Sequence, residues 1–314
     1  MKRTYPDYYK QFRCIADRCR HNCCVGWEID IDGGTLRRYL RMKGPMGERL
    51  RQSIDITADG ASFAADAEGR CPLLNKNGLC DLIADQGEKA LCQICRDHPR
   101  FRSRLRDREE IGLGLCCEAA CRLILGNGEK PGLITEDDGR SKAAPGGAEQ
   151  RWLDARDHLF DLIWTPSLDI DSCLSLAMSR YYGISRVPYT SRYWSRFFLS
   201  MEHMEPSWIE RLKKLHDRKS QYMTIPPSDD DGQLRRLATY FIYRYAVHGW
   251  KRRRSQHNSC VAFAALSVYM IYLIGKETGD LYEAARQYSA EIEYSDINVE
   301  KLLDKFDRYA EEYI

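Results

Sequence analysis

The sequence predicts a mainly α protein in three parts: an irregular cysteine-rich N-terminal domain with short β pieces (residues 1–125), a linker (126–150) and an all-helical C-terminal domain (151–314). Three observations predict it. Eleven of the thirteen cysteines fall within residues 14–121, and only Cys173 and Cys260 lie beyond. Residues 126–150 are rich in Gly, Pro and charge and offer little to bury, as a linker or loop does. After them apolar residues recur with helical period: Trp152, Leu153, Leu159, Phe160, Ile163 and Trp164 share one face.

In the N-terminal part, I-D-I-D-G-G-T-L-R-R-Y-L-R-M reads as a short extended piece, a glycine turn and a helix. G-R-C-P-L-L-N-K-N-G-L-C-D-L reads as a small hairpin turning at Asn77-Gly78. Residues 87–96 and 117–125 are expected to be helical. Downstream, helices are expected at 191–204, 206–218, 233–250, 258–276, 280–291 and 298–313. Asp280 and Asn298 are the expected N-caps, and Gly275 with Gly279 breaks the pattern between two helices.

The chain has 314 residues, enough for one large domain or two ordinary ones. Lys and Arg total 48 against 46 Asp and Glu, a formal +2. A polyanion binder carries a clear basic excess, so no nucleic-acid partner is expected. The N-terminus lacks the apolar region and cleavage site of a signal peptide. The most apolar run, residues 261–274, is short for a bilayer and reads as a buried helix. No membrane association is expected, and the expected compartment is the cytoplasm, where thiols stay reduced.

The cysteines of the N-terminal part then call for a role other than disulfides. They form four groups: Cys14-x4-Cys19-x3-Cys23-Cys24, Cys71-x8-Cys80, Cys92-x2-Cys95 and Cys116-Cys117-x3-Cys121. Thiolates are soft ligands that select zinc, copper(I) or iron–sulfur clusters. Short spacings let one loop or one helical turn offer two of them. The set suffices for one all-cysteine site with thiols left over, or for two. Cys173 and Cys260, each alone in an apolar helical pattern, are expected to be small buried hydrophobes. Cys92 and Cys95 have the spacing of a dithiol oxidoreductase but not the strand context of a thioredoxin-like unit.

Two patterns are absent. No C-x3-C-x2-C loop of the radical S-adenosylmethionine (SAM) enzymes occurs. No glycine-rich dinucleotide fingerprint occurs either: I-G-L-G-L follows the charged run R-L-R-D-R-E-E rather than an apolar strand.

In order along the chain, C-I-A-D-R-C-R-H-N-C-C-V-G-W-E-I-D-I-D, C-P-L-L-N-K-N-G-L-C-D-L, L-C-Q-I-C-R-D-H-P-R and C-C-E-A-A-C-R-L-I-L resemble the flagellin lysine-N-methylases of the FliB type. The first and third elements also resemble a wider class of cysteine-rich zinc- or iron-chelating proteins. The resemblance covers roughly the first 125 residues. It implies methylation of flagellin lysines with SAM as methyl donor and a cysteine-ligated [4Fe-4S] cluster, with zinc as the alternative metal. The matching cysteines are Cys14, Cys19, Cys23, Cys24, Cys71, Cys80, Cys92, Cys95 and Cys117. Cys116 and Cys121 depart from the family pattern. The alternative to an enzyme is a non-enzymatic metal-chelating module whose helical half binds a partner.

Methylating a lysine requires a neutral amine, and an unperturbed lysine titrates near 10.4, so the amine must be desolvated or offered a base. The sulfonium of SAM favours carboxylates and aromatic faces. Glu28, Asp30, Asp32 and Glu118 lie near the cysteine motifs, with solvation or capping as their expected role, and no catalytic residue is assigned. Trp27 is expected to pack beside the cysteines, His21 to lie at the surface and His98-Pro99 to form a turn. Arg96 and Arg100 are expected to cap a helix or to reach an anionic cofactor group. The basic run at 248–257 is expected to be a solvated helix end, with docking of an acidic partner as the alternative.

Overall fold

The structure, a computed structural model, describes residues 2–139, 144, 146–227, 230–252 and 257–314, without the side chains of 247–252. The basic run at 248–257 therefore lies outside the described side chains except for His257. The contacts divide the chain into two units: Arg13–Phe101 with Cys117–Ala119, and Met1–Phe12 with Arg102–Cys116 and Ala120–Ile314. This division departs from sequence boundaries at 125 and 150, because chain from both sides of the cysteine motifs builds one sheet.

That sheet lies in the larger unit except for Arg100 and Phe101, the first two residues of one strand. It is β1 (Lys2–Pro6), β4 (Arg100–Arg104), β5 (Arg108–Leu113) and β6 (Leu133–Asp137), in the order β4-β5-β1-β6. β1 runs parallel to β5, with Thr4 opposite Glu110, and antiparallel to β6, with Thr4 opposite Thr135. The segment expected as a linker thus contains a paired strand. The charged run before I-G-L-G-L ends β4 at Arg104, turns through 105–107 and opens β5 at Arg108. Glu109 and Glu110 are 4% and 1% exposed. Arg3 and Arg102 each reach Glu109 at 3.4 Å, and Arg156 donates to Glu110 at 2.6 Å, so the buried carboxylates are paired.

The helices follow: α5 (Glu118–Leu125), α6 (Gly147–Ile163), α7 (Ile170–Tyr181), α8 (Ser191–Leu199), α9 (Pro206–Asp217), α10 (Asp231–Arg252), α11 (Ser259–Thr278), α12 (Leu281–Tyr288) and α13 (Asp296–Tyr313). Mainly α is the observed class. Asp169, Thr190, Asn258, Asp280 and Ser295 accept backbone amides as N-caps. The cap of α13 is Ser295 and not Asn298. Asn298 sits in the first turn, fully buried, where its side chain bonds the main chain of Glu202 and Glu291. Gly279 ends α11 in the left-handed conformation, whereas Gly275 is inside the helix.

α11 is the one described helix long and apolar enough to cross a membrane, and its residues Ser259 to Gly275 are buried inside the unit. α12 runs into a π-helix, Ser289–Glu293, so the single helix expected over 280–291 changes its hydrogen-bond register before its end. Cys173 and Cys260 are both buried, as expected, and Cys173 Sγ accepts from Arg235 at 3.6 Å.

The smaller unit has α1 (Gly33–Arg41), α2 (Gly44–Gln52), α3 (Asp81–Gln86), α4 (Gln93–Asp97) and a two-stranded ribbon of β2 (Ile54–Ile56) and β3 (Ala61–Phe63). Residues 87–96 are not one helix: a 3-10 turn at Glu88–Ala90 precedes α4. Its core is Ile29, Ile31, Tyr39, Leu50, Phe63, Leu73 and Leu82, with Cys71 and Cys92 buried among them.

Candidate metal centre

The nine cysteines that match the family motifs all fall in the smaller unit, and Cys116 and Cys121 both fall in the larger one. Local sequence brings the nine together in steps. Gly26 takes a positive φ of 80°, which lets the chain turn out of the Cys23-Cys24 pair. Beyond that turn the amide of Gly26 donates to the carbonyl of Gly69 at 2.8 Å, and the amide of Cys71 donates to the carbonyl of Cys24 at 2.8 Å. The first and second motifs are thus laced by main-chain bonds. Next, Ile31 N donates to Ala61 O and Phe63 N to Ile29 O, which seats the I-D-I-D segment on β3 and turns Ile29 and Ile31 into the core.

The second motif closes on itself. Leu74 bridges Cys80, Gly78 turns with φ 75°, and Asn22 Nδ2 donates to the Gly78 carbonyl at 3.1 Å. The expected hairpin is present. Asp81 then pins it: Arg49 reaches Asp81 at 2.6 Å and also donates to the Pro72 carbonyl at 2.7 Å.

The third motif is joined to α1 through one carboxylate. Asp32 Oδ1 accepts Thr35 N as the N-cap of α1, and its Oδ2 accepts Gln93 N at the start of α4. Those two amides hold its carboxyl below the ordinary aspartate range. Tyr39, with no exposed surface, donates its hydroxyl to the Ala90 carbonyl at 2.8 Å. Asp32 is a capping residue, as expected. Glu118 accepts the amide of Arg20 at 3.1 Å and lies in the field of Cys19.

Two thiol pairs result. Cys24 donates to Cys23, which lowers the Cys23 thiol to about 7 and raises that of Cys24. Cys95 donates to Cys92, which lowers Cys92 to about 7 and raises Cys95. Burial raises Cys19 and Cys71. The pairs are not isolated. Cys24 feels the charges of Cys71 and Cys80, Cys95 feels Cys24 and Cys23, and Cys71 feels Cys80 and Cys92. Cys19 feels Cys23 and Cys14. Among the described residues no three His, Cys, Asp or Glu side chains are grouped closely enough to hold one metal ion.

This donor set has the chemistry of a soft-metal site: thiols only, partly buried, two already poised to ionise near neutrality. Trp27 stands against His98, 6.4 Å between ring centres. Burial, with the Arg100 charge, lowers His98 to about 4, and the His98-Pro99 bond is cis, in the expected turn. Arg100 donates to the Arg96 carbonyl at 3.4 Å, at the end of α4, in line with the capping alternative of its two expected roles.

The chain is similar to curated proteins. Over 128 residues it is 30% identical to the lysine-N-methylases of Salmonella typhimurium (strain LT2) and Salmonella choleraesuis, 39% of this chain and 32% of each relative. It is 29% identical over 128 residues to the flagellar biosynthetic protein FliU of Salmonella muenchen, 76% of that protein. Over this stretch the chain is similar to the FliB-type lysine-N-methylases. The match spans about a third of the length of the lysine-N-methylases. No family model and no solved structure matches the chain.

One constellation escaped the sequence reading. In the larger unit Tyr240 donates to Glu293 at 3.0 and 3.1 Å, and Arg244 donates to the Tyr240 hydroxyl at 2.7 Å and reaches Glu293 at 3.3 Å. Arg244 also lies over the rings of Tyr245 and Tyr294, 5.4 Å from each centre. Glu293 ends the π-helix, so the register change aims its carboxylate at α10. Burial holds the phenols of Tyr240, Tyr245 and Tyr294 well above their usual range. Tyr240 and Arg244 form an i, i+4 pair, the only local signal; Glu293 lies too far along the chain to be matched to them from sequence.

Proposed function

We propose that the protein transfers methyl groups from SAM to the ε-amines of lysines in a protein substrate, and that this substrate is flagellin. The observation that supports the reading is the 128-residue similarity to proteins named lysine-N-methylase, together with a family cysteine set gathered in one unit. The flagellar name of the third relative supports the substrate. In the reaction the lysine nitrogen attacks the sulfonium methyl, the methyl–sulfur bond breaks, S-adenosylhomocysteine leaves and the amine loses a proton. The protein must therefore receive the lysine neutral, by desolvation or through a base.

We also propose that a [4Fe-4S] cluster, with zinc as the alternative, takes its four ligands from among Cys14, Cys19, Cys23, Cys24, Cys71, Cys80, Cys92, Cys95 and Cys117. The resemblance of the four cysteine motifs to the FliB type supports the cluster over a single zinc ion. When bound, the cluster would supply a rigid cross-link between loops. The chain's own residues prepare for it: Asp32 fixes the entry of α4, Asn22 and Asp81 fix the hairpin, and the Cys71–Cys24 main-chain bond fixes the distance between motifs.

A non-enzymatic metal-binding module is the second reading. It is favoured by the confinement of the similarity to 39% of the chain. A SAM-binding titration of anaerobically purified protein separates the two. Stoichiometric SAM binding supports the methyltransferase, and no binding leaves the module.

A further inference from the structure

α1 has two unlike faces. Thr35 and Tyr39 turn into the core, with Leu36 half-buried beside them. Gly34, Arg37, Arg38 and Arg41 recur at i, i+3, i+4 and i+7, one stripe of a 3.6-residue helix. With Met42 they line an open pocket of about 450 Å³. No acidic residue occurs in the helix G-G-T-L-R-R-Y-L-R.

The three arginines differ in what occupies them. Arg38 is held by Thr35 Oγ1 at 3.1 Å and the Ala90 and Leu91 carbonyls at 3.1 and 3.3 Å. The carboxylate it senses, Asp32, is already taken by two backbone amides. Arg37 and Arg41 are exposed and have no ion-pair or hydrogen-bond partner among the described residues. Nor do they close the helix end. Arg51 does that, donating to the Leu40 carbonyl at 3.4 Å and the Met42 carbonyl at 2.8 Å. Like charges one turn apart work against the helix, so the stripe is not explained by the stability of α1.

We infer that this pocket is a docking surface for an acidic segment of a partner protein, whose carboxylates the forks of Arg37 and Arg41 receive beside the fixed guanidinium of Arg38. Guanidinium forks match carboxylates bidentately. Four residues separate Arg37 from Arg41, about 6 Å of helical rise. Alternate side chains of an extended peptide stand about 6.6 Å apart, so neighbouring carboxylates on such a segment meet both. The pocket is open, so a lone small anion would keep most of its hydration, whereas a chain bearing several carboxylates gains from simultaneous contacts. A nucleic acid fits less well. No aromatic ring lines the pocket for base stacking, and the chain carries only +2 overall. The inference rests on this pocket and not on methyl transfer.

The test is titration of the full chain with a fluorescent short glutamate homopeptide at low salt. A thymidine oligonucleotide serves as the second probe. Saturable peptide binding is expected, weakened about tenfold or more in Arg37→Gln/Arg41→Gln and screened by added salt. The control Lys213→Gln/Lys214→Gln removes the same charge from the exposed side of α9 and is expected to bind as the unchanged protein does. Thermal unfolding should be unaltered in both variants, because all four side chains are exposed. The inference is overturned by absence of peptide binding, by equal weakening in the control, or by tighter oligonucleotide binding that the Arg37/Arg41 variant loses.

Discussion

The amide of Cys71 donates to the carbonyl of Cys24 at 2.8 Å, so two candidate ligands from distant motifs share a main-chain bond before any metal is considered. Their thiols are held near each other by the fold. Replacing Cys24, Cys71 or Cys92 by Ser should therefore remove iron and acid-labile sulfide from anaerobically purified protein, and should lower its unfolding temperature, since a ligand bound only by the native state stabilises that state. Cys173→Ser and Cys260→Ser, both in the larger unit, should leave metal and sulfide unchanged. Metal loss in Cys260→Ser as complete as in Cys71→Ser would contradict the assignment.

The thiol pairs predict an order of reactivity in metal-free protein. Cys23 is exposed and lowered to about 7 by the thiol of Cys24. Its alkylation by iodoacetamide should rise through neutral pH, well before that of Cys24, whose thiol is raised by the same contact. Timed alkylation read by peptide mass checks this. Earlier alkylation of Cys24 would reverse the polarity of the pair.

His98 predicts a pH dependence of the smaller unit. Its folded pKa, about 4, lies below the ordinary 6.5 because burial and Arg100 oppose the charge. Above about pH 6.5 both states are neutral there and the contribution is full. Between about 6.5 and 4 the unfolded chain binds a proton that the folded chain refuses, so stability falls with pH, by at most about 3 kcal/mol. His98→Phe should flatten that part of the profile in denaturant titrations at stepped pH. An unchanged profile would show that His98 titrates freely.

What was legible in the sequence follows from how far each signal reaches. The cysteine motifs, the Asn77-Gly78 hairpin, the Asp280 cap and the glycine end of α11 are local, and the structure has the hairpin, the cap and the helix end in place. The sheet was not legible. β1 and β5 carry charges where a buried strand usually carries apolar residues, and the partners that allow this, Arg156 for Glu110 and Arg102 for Glu109, are supplied only by the fold. β6 hid in the presumed linker for the related reason that all five of its residues are exposed on a sheet edge. Asn298 was mistaken for a cap because Asn favours caps, whereas Ser295, three residues earlier, takes the role and leaves Asn298 to bond buried carbonyls.

The Tyr240–Arg244–Glu293 network predicts a large structural effect. Glu293 is 4% exposed and faces Arg244. Glu293→Gln would remove the carboxylate charge that faces that guanidinium, at a cost of about 3–5 kcal/mol. Chemical denaturation should show the loss at neutral pH. A change under about 1 kcal/mol would mean that the other partners of Arg244 satisfy it without the Glu293 charge.

The central claim is that this chain methylates lysines in a manner that depends on its cysteine unit. The most direct measurement is the mass of flagellin peptides after incubation with anaerobically purified protein and methyl-labelled SAM, beside the Cys71→Ser variant. The account predicts labelled methyl groups on lysine peptides with the unaltered protein and none with the variant. Unlabelled flagellin alongside metal-loaded protein that binds SAM would contradict flagellin as the substrate, and equal labelling by Cys71→Ser would contradict the role given to the cysteines.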